Sequence, residues 1–534
     1  MSVLLTRKAV LQAAIEATYN VAQPVGVNDG FLVENPAYTI KPNVLERKFV
    51  HKDLSQVPFI IGRKVASMEF TTELRGNGLS NLGQAANAPL ITRLFEACGY
   101  AMSAFPDPTV IGPFDQGQPA VEVGWSVSSQ KNATNVYTPT ANFNAGDELI
   151  VDGETYAFKA VPAVIGDVGL GANIGASLAN VVAAMNSAQQ VGTQYFAGTP
   201  QLPHSIASTD GAKLTITADN YGPAGNLIGT VYTPASTVEG SWAHATLQGG
   251  SDPGATADVV CYYLTVDTAG ASGAAKITVT SDTVGEGNAS AVVTSGQPFV
   301  VGTKGLTLDP TFAGNLAVGQ AWTVWLMPPG LSLQPISDNF QSLTLYLHKD
   351  GVLHTLPGAL GTFEVTAQSG SYATVKWTFT GSFVEAVDDP NPAPIFERTL
   401  PNQVQLARLQ VGEFNAIVEK MTFNQMNDVQ IRPDVSSQDG YNGVRIVDRK
   451  PEGGINPEAD LLTNNDFWGE FAAAQCMPFQ MRVGTVAGNT VWMICPNTQY
   501  SGLTYGDRNG ILVYDAGMRF ARSQGDDEAY FYFC

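Results

Sequence analysis

Four carboxylates within one short stretch are the first residues whose spacing could do chemistry. Asp147, Glu148, Asp152 and Glu154 lie in the segment GDELIVDGETYAF. Carboxylate oxygens are the ligands that Ca²⁺ prefers, and a carboxyl pair can also act as general acid and base. The same pattern is typical of a β-hairpin that turns at Asp152-Gly153 and carries solvated side chains. We favour the hairpin, with the metal or acid–base site as the alternative.

A glycine-rich segment, GLGANIG at 169–175, could cradle a phosphate group. A dinucleotide-binding loop needs a strand directly before it and an acidic residue about twenty positions later. The preceding VPAVIGDV is a poor strand, and no acidic residue follows at that distance. The segment is therefore predicted to be a glycine-rich connector.

The histidines do not form a metal site by their spacing. His348 and His354 flank a predicted two-residue turn, which places each opposite a leucine and not opposite the other. The remaining histidines lack a neighbouring His, Cys or Asp at ligand spacing; they are His51, His204 and His244. No GxSxG, HExxH or activated-cysteine pattern occurs. We predict that the protein is not an enzyme and uses no cofactor or metal.

The charge content indicates a surface adapted to assembly. Only 14% of the 534 residues are charged, against roughly 25% in an ordinary soluble domain. Such a surface is either hidden between subunits or built from Ser, Thr, Asn and Gly. The net charge of −20 argues against a protein that grips nucleic acid, because binding needs Lys and Arg to replace phosphate counterions. It does not exclude a surface past which nucleic acid slides without sticking.

The chain carries the signs of a protein made in a reducing compartment. Its five cysteines form no CxxC pair, which suits the cytoplasm better than a disulfide scaffold. Arg7 and Lys8 follow a very short apolar run, so we expect no signal peptide. No run of 18 apolar residues occurs, so we expect no membrane span. The cysteines are Cys98, Cys261, Cys476, Cys495 and Cys534.

The amino-acid composition of the sequence changes twice along the chain. Residues 1–127 and 331–534 carry charged and aromatic segments, whereas the residues between them are rich in Ala, Gly and Thr. We predict a mainly β core that is split in sequence and carries a long insertion. Within the insertion, 128–252 is predicted to be an α+β accessory domain, because a hairpin precedes a helix with Leu178, Val181, Val182 and Met185 on one face. Residues 253–330 are predicted to form a small β-sandwich from four strand-like runs.

The two parts of the core contain an internal repeat. Residues 31–50 align without a gap to 416–435, and five positions are identical. Downstream, each half contains an Arg-Lys pair and then a short predicted helix, at 89–99 or 465–476. A repeated module within one chain indicates pseudo-symmetry in the fold. The identical pairs are Val33 with Val418, Glu34 with Glu419, Val44 with Val429, Arg47 with Arg432 and Val50 with Val435.

Several segments of the core, in this order, resemble the tail tube (major tail) proteins of long non-contractile-tailed bacteriophages. They are RKAVLQAAIEATYNVAQPVGVNDGFLVEN, VLERKFV, VASMEFTTELRGNG, PLITRLFEACGY, SLTLYLHKDGVLHTLPGALGTFEV, YATVKWTFTGSF and VRIVDRKPEGG. The resemblance covers roughly three hundred residues of the core, and the insertion departs from the family's minimal pattern. Its GDELIVDGETYAF and LTITADNYGPAGN segments resemble accessory domains of phage tail proteins.

The resemblance implies a structural role in a virion. Proteins of this kind form a β-barrel or sandwich module that closes into stacked rings around a channel for the genome, so we expect a duplicated module of this type. The implied partners are other copies of the chain and the tape-measure, tail-terminator and distal-tail proteins, with DNA only in transit. We expect assembly in the host bacterial cytoplasm and a place in the virion tail. Two copies of the module per chain favour a trimeric ring with pseudo-sixfold symmetry over a hexamer.

Alternative functions are another tail or head-decoration protein, or a carbohydrate-binding adhesin that uses the inserted domains. A β-rich insertion is compatible with glycan binding, but no sequence motif singles out a sugar site.

Two groups of residues are candidates for the assembly. The segment 46–59 has alternating charges between two predicted strands, so we expect it to reach an adjacent ring; the contacting residues would be Lys48, His51, Lys52 and Asp53. In the strand 65–74, the alternation places Ala66, Met68, Phe70 and Leu74 on a core face. The opposite face carries Ser67, Glu69, Thr71 and Glu73 and must meet water. Glu69 and Glu73 are predicted to line the lumen, with an outer-surface strand as the alternative.

Overall fold

The computed structural model describes residues 5, 7–50, 52, 54–117, 121–186, 194–251, 258–404, 408–412, 414–415, 417–437 and 440–534. Within these residues the chain is mainly β, as predicted, with three α-helices. It divides into two compact units. The core unit comprises Met1–Ala104, Phe114–Pro119 and Gly330–Cys534, and the inserted unit comprises Phe105–Pro113 and Ala120–Pro329.

The secondary structure elements follow in chain order. The strands before the insertion are β1 (Ala9–Ile15), β2 (Gly30–Phe31), β3 (Glu34–Leu45), β4 (Ile60–Glu73) and β5 (Tyr100–Phe105). Those of the insertion are β6 (Thr109–Asp115), β7 (Gly124–Val127), β8 (Asn132–Pro139), β9 (Glu148–Val151), β10 (Glu154–Lys159), β11 (Asp167–Gly169), β12 (Ser205–Thr209), β13 (Leu214–Tyr221), β14 (Thr230–Thr233), β15 (Gly240–Trp242), β16 (Val260–Thr268), β17 (Lys276–Ser281), β18 (Asn288–Val292), β19 (Phe299–Val301), β20 (Leu306–Thr311) and β21 (Ala321–Met327). Those after it are β22 (Gly330–Pro335), β23 (Leu343–Lys349), β24 (Val352–Gln368), β25 (Thr374–Ser382), β26 (Val387–Asp388), β27 (Arg408–Val411), β28 (Phe414–Asn415), β29 (Val418–Asn424), β30 (Asn427–Pro433), β31 (Tyr441–Arg449), β32 (Glu452–Pro457), β33 (Met477–Val483), β34 (Val491–Arg508), β35 (Ile511–Ala521) and β36 (Tyr530–Phe533). The helices are α1 (Ile91–Glu96), α2 (Ile174–Met185) and α3 (Phe467–Ala472).

The alternation predicted for the strand at 65–74 is confirmed on its apolar side. Ala66, Met68, Phe70 and Leu74 are all at most 2% exposed and belong to the main core. This strand, β4, lies between β3 and β25 in an antiparallel sheet. Burying such side chains contributes about 1.5–3 kcal/mol for each large one, so the periodicity alone sets which face of β4 turns inward.

Helix α1 packs its aromatic residue into the centre of the core unit. Phe95 is fully buried, and its ring meets those of Phe363, Trp377 and Phe531 with centroids 4.8–5.0 Å apart. The indole N–H of Trp377 donates to the Thr72 hydroxyl at 2.9 Å, which satisfies the polar atom of a buried ring. The last strand, the aromatic β36, pairs with β22 and β34.

The inserted unit contains two clusters of buried side chains. In the first, two four-stranded sheets and helix α2 share one cluster, to which Leu178, Val181 and Met185 belong as predicted. In the second, the sheet β18-β17-β16-β21-β6 and the sheet β19-β20-β7 share another. The fold is therefore an α+β part followed by a small two-sheet part.

The inserted unit begins at Phe105, about twenty residues before the boundary that the sequence places at Val127. Strand β7 pairs with β20, and β6 is an edge of the sheet that contains β21. Both strands therefore belong to the second sheet pair of the insertion. Their partners lie almost two hundred residues away in the chain, so no local change of composition marks the junction.

The described helices include none that combines the length and the apolar content of a membrane span.

Candidate assembly surfaces

Two parts of the core unit use their strands in the same way. In the first array the sheet order is β3-β4-β25-β24, and in the second array it is β29-β32-β35-β34. All these pairs are antiparallel. In both arrays a short helix, α1 or α3, lies in the chain between the second and the third strand. The two arrays therefore share chain order, sheet order and helix position.

The flanking strands repeat the same pattern. Strand β1 pairs with β2 and β23, as β27 pairs with β28 and β33. Strands β23 and β24 form a hairpin, as β33 and β34 do. Residues that align in the sequence also have equivalent partners, because Val44 pairs with Ile61 and Val429 pairs with Ile446 at the same offset along the chain.

The two arrays are joined by one pair of strands. Strand β24 is the last strand of the first array, and it pairs with β29, the first strand of the second. The pairing is antiparallel and runs from Glu364 opposite Asn424 to Gln368 opposite Lys420. One continuous sheet of eight strands results.

The two outer edges of this sheet are formed by β3 and β34, which are the equivalents of the joined strands β29 and β24. Among the described residues, β3 pairs only with β4, and the part of β34 from Gln499 to Arg508 pairs only with β35. Such edges present unpaired N–H and C=O groups that are ready to accept another strand. Strand β34 is not singled out as an edge by the sequence; in the structure it is as long as its equivalent β24, with 18 and 17 residues.

The predicted lumen residues lie on the polar face of this sheet. Glu69 is exposed, whereas Glu73 is only 28% exposed and forms an ion pair with Arg75, Oε2 to Nη1 at 3.3 Å. The prediction that Ser67 meets water is wrong, because Ser67 is buried. The hairpin β30–β31 packs on β24 and β25 at the Ser67 end of the face, which accounts for the burial of Ser67.

The polar face continues across both arrays and carries both signs of charge. In the six strands from β4 to β35 the acidic residues outnumber the basic ones. Outside residues 60–64 of β4, the acidic residues are Glu69, Glu73, Glu364, Glu452 and Asp515, and the basic residues are Lys376, Lys420 and Arg519. A pure carboxylate wall is therefore not what the chain builds.

The segment between β3 and β4 is an exposed loop. Lys48 is 83% exposed and lies 3.6 Å from Glu46, which is itself 71% exposed. Lys52 is exposed as well, whereas His51 and Asp53 lie outside the described residues. An exposed pair of this kind adds little to the stability of the chain itself, so both charges are available to a partner.

The carboxylates of the inserted unit serve its own fold. Asp147 is fully buried and accepts hydrogen bonds from the backbone N–H groups of Asn144 and Ala235 and from the Tyr232 hydroxyl at 2.7–3.0 Å. The turn at Asp152 lies where it is predicted, between β9 and β10. Within the described part of the chain no group of three or more His, Cys, Asp or Glu side chains could hold a metal ion.

The other singled-out residues also have structural partners. His348 lies opposite Leu353 as predicted, and His354 stacks on Tyr38 with ring centroids 4.5 Å apart. The glycine segment connects β11 to α2, and a Cβ on Gly171 would lie 2.5 Å from the Ser177 nitrogen, so the close approach to the helix requires glycine there. The preceding residues do form a strand, the three-residue β11, contrary to expectation.

The acidic run before the last strand, Asp526-Asp527-Glu528, is bound within the fold of the core unit. Asp527 is 1% exposed and accepts the N–H groups of Ser523 and Gln524 at 2.9 and 2.6 Å. Arg449 forms ion pairs with Asp526 and Glu528. This guanidinium lies far away in the sequence, so the charge pattern of the run could not reveal it.

Comparison with known proteins adds no family assignment, since no protein-family model matches the chain and no curated protein is significantly similar to it.

Proposed function

We propose that this chain is a structural subunit of the tail of a long non-contractile-tailed bacteriophage. In this proposal it polymerises into stacked rings that form the tail tube, the conduit for the genome. The chain acts as a building block and not as an enzyme. Its partners are other copies of itself, together with the tape-measure, tail-terminator and distal-tail proteins that the family resemblance implies.

One observation carries the proposal: the β24–β29 junction inside the chain has an unpaired counterpart at its two ends. Strand β34 is the equivalent of β24, and β3 is the equivalent of β29. In the described residues both β34 and β3 have a free edge at the end of the sheet. A second copy can therefore repeat with β34 and β3 the contact that β24 and β29 make within one chain. Such a contact is heterologous, and it closes into a ring if the rotation per copy permits.

The proposed ring contains three chains. Each chain supplies two arrays, so three chains supply six and give pseudo-sixfold symmetry; a hexamer is the alternative. The polar face of the sheet lines the channel, with Glu69 and Glu73 among its carboxylates. The loop that holds Lys48, His51, Lys52 and Asp53 contacts the next ring. DNA meets this surface only in transit.

Hydrogen exchange on the purified full chain tests the proposal. In assembled rings or tubes, the amides of 34–45 and 499–508 should exchange more slowly than in dissolved monomer, because their edges gain hydrogen bonds. The β24–β29 junction is the internal control, since its amides should be protected in both states. Polymers in which the two edges exchange as fast as in the monomer would overturn edge pairing, and a chain that forms no rings or tubes at any concentration would overturn the function.

A further inference from the structure

The hairpin β30–β31 covers part of the first array within the chain. Its apolar residues Val444 and Ile446 form a small cluster with Leu360 of β24 and with the partly buried Phe340. The Tyr19 hydroxyl donates to the Val444 carbonyl oxygen at 2.8 Å and accepts from the Val444 N–H at 2.6 Å. The hairpin is thus seated by both apolar contacts and hydrogen bonds.

The same hairpin closes over the end of helix α1. The Asn427 side chain donates to the carbonyl oxygens of Cys98 and Gly361 at 2.7 and 2.9 Å. The Cδ1 atom of Ile446 lies 3.4 Å from the position that a Cβ on Gly99 would occupy. The two residues that follow α1, Ala97 and Cys98, are fully buried.

The outer part of the hairpin β3–β4, residues 40–45 and 60–64, is the equivalent of β30–β31; we call it the arm. The apolar residues of the arm are exposed to solvent. Val44 and Ile61, the equivalents of Val429 and Ile446, are 45% and 51% exposed, whereas Ile446 is 7% exposed. Leu45 and Ile60 on the opposite face of the arm are exposed to a similar degree.

The end of helix α3 is correspondingly uncovered. Phe467 at its start is fully buried, as expected for a helix packed on the core. Its last turn and the following residues, 471–475, are exposed, whereas their counterparts at the end of α1, 95–99, are buried except for the partly buried Glu96. Cys476, four residues after the end of α3, is only partly buried, whereas Cys98, two residues after the end of α1, is buried.

We infer that the arm of one chain packs across the end of α3 in a second copy of the same chain. The second copy is the one whose β34 pairs with this chain's β3, so the inference rests on the proposed function. The geometry follows from the chain itself, because β30 directly continues β29 beyond the β24–β29 junction, and the arm continues β3 in the same way. Ile61 takes the place of Ile446, and the residues that end α3 take the place of those that end α1.

The intermolecular contact is expected to be weaker than the internal one. The position equivalent to Asn427 is Pro42, which has no side-chain donor for the two hydrogen bonds that Asn427 makes. The contact is therefore apolar, and it is repeated around the ring. Reversible docking of this kind suits a subunit that must stay dispersed until it assembles.

Site-specific cross-linking tests the inference. The variant Ile61→Cys places a thiol on the face of the arm that should meet Cys476 of the second copy. Treatment with a short bis-maleimide should give a ladder of covalent dimers and trimers in isolated rings. Two controls should lose the ladder: Ile61→Cys/Cys476→Ser, and Ile60→Cys, whose side chain lies on the opposite face of the arm because successive residues of a strand alternate. Circular dichroism of each variant checks that it is folded.

The outcomes separate this inference from the proposed function. Rings that form normally but give no ladder with Ile61→Cys would overturn the inference and leave the function standing. A ladder that appears in stacked tubes but not in isolated rings would also overturn it, because the arm would then contact the next ring. Failure of the wild-type chain to form any ring would instead count against the proposed function.

Discussion

Under the proposed function, reversal of charge on the polar face should convert a surface that DNA passes into one that holds DNA. The variant Glu69→Lys/Glu73→Lys changes two neighbouring positions of β4 that point to the same side of the sheet. Glu69 is exposed, so its replacement should leave the fold intact. Replacement of Glu73 removes its ion pair with Arg75, which costs about 1 kcal/mol or less.

The size of the effect follows from the charges on the face. Outside residues 60–64, the six central strands carry five acidic and three basic residues on this side, so the double variant changes the balance there from two net negative to two net positive charges. Each lysine that contacts a phosphate contributes about −0.9 to the slope of log K against log salt concentration. Two contacts per chain give a slope of about −2, and a three-chain ring gives about −5.

Retention of a short DNA duplex by assembled tubes measures this slope. Wild-type tubes should retain little DNA, whereas tubes of the double variant should retain it strongly near 10 mM salt, where the Debye length is about 30 Å, and weakly near 150 mM, where it is about 8 Å. Glu69→Gln/Glu73→Gln should show an intermediate effect without the steep slope. Glu122→Lys/Glu154→Lys adds the same charge to the inserted unit and serves as the matched control.

Two results would refute the reasoning. Tubes of the lysine variant that retain no more DNA than wild-type tubes at low salt would show that β4 does not face the channel. Equal retention by the control variant would show that added charge binds DNA from outside. In a phage that carries the lysine variant, the same account expects slower DNA ejection at low salt.

Three further predictions concern stacking, stability and the insertion. Deletion of residues 48–56 should leave folded rings or monomers that no longer polymerise, and tubes of normal length in electron micrographs would contradict the role of this loop. Burial raises the pKa of Glu96 to about 7, and the charge of Arg93 partly offsets this rise. The stability of the chain should therefore fall as the pH rises from the unfolded pKa near 4.5 through 7. In urea titrations, Glu96→Gln should stabilise the chain by about 1–3 kcal/mol at pH 8 and by little at pH 4, and equal effects at both pH values would refute this. Residues 131 and 251 are neighbours, with the Lys131 N–H donating to the Ser251 oxygen at 2.9 Å, so replacement of the intervening segment by two glycines should leave tube formation intact, as sedimentation and microscopy would show.

The sequence predicts those features that depend on nearby residues. The period of two in β4 identifies its core face, because the side chains of one strand alternate whatever its partners are. The turn between β9 and β10 and the face of α2 are predicted for the same reason. Ser67 breaks the pattern because the hairpin β30–β31, almost four hundred residues later, packs at that end of the sheet.

The features that the sequence did not predict depend on distant pairing. Nothing near Val127 shows that β7 pairs with β20, and nothing near Asp526 shows that Arg449 lies beside it. In the sequence the repeat is visible over 31–50 and 416–435, in an Arg-Lys pair and in a short helix of each half. The strand pairing extends it to β1, β2, β23 and their counterparts. Strand order is conserved there although the side chains differ, since a sheet is held mainly by backbone hydrogen bonds.

A reconstruction of the assembled particle from electron micrographs tests the central claim most directly. The account predicts rings of three chains in which β34 of each chain pairs antiparallel with β3 of the next, so that the sheet is continuous around the channel. Threefold symmetry should give better side-chain density than sixfold symmetry, because the two arrays differ in sequence. Rings in which β3 and β34 remain unpaired, or six identical chains with one array each in the wall, would contradict it.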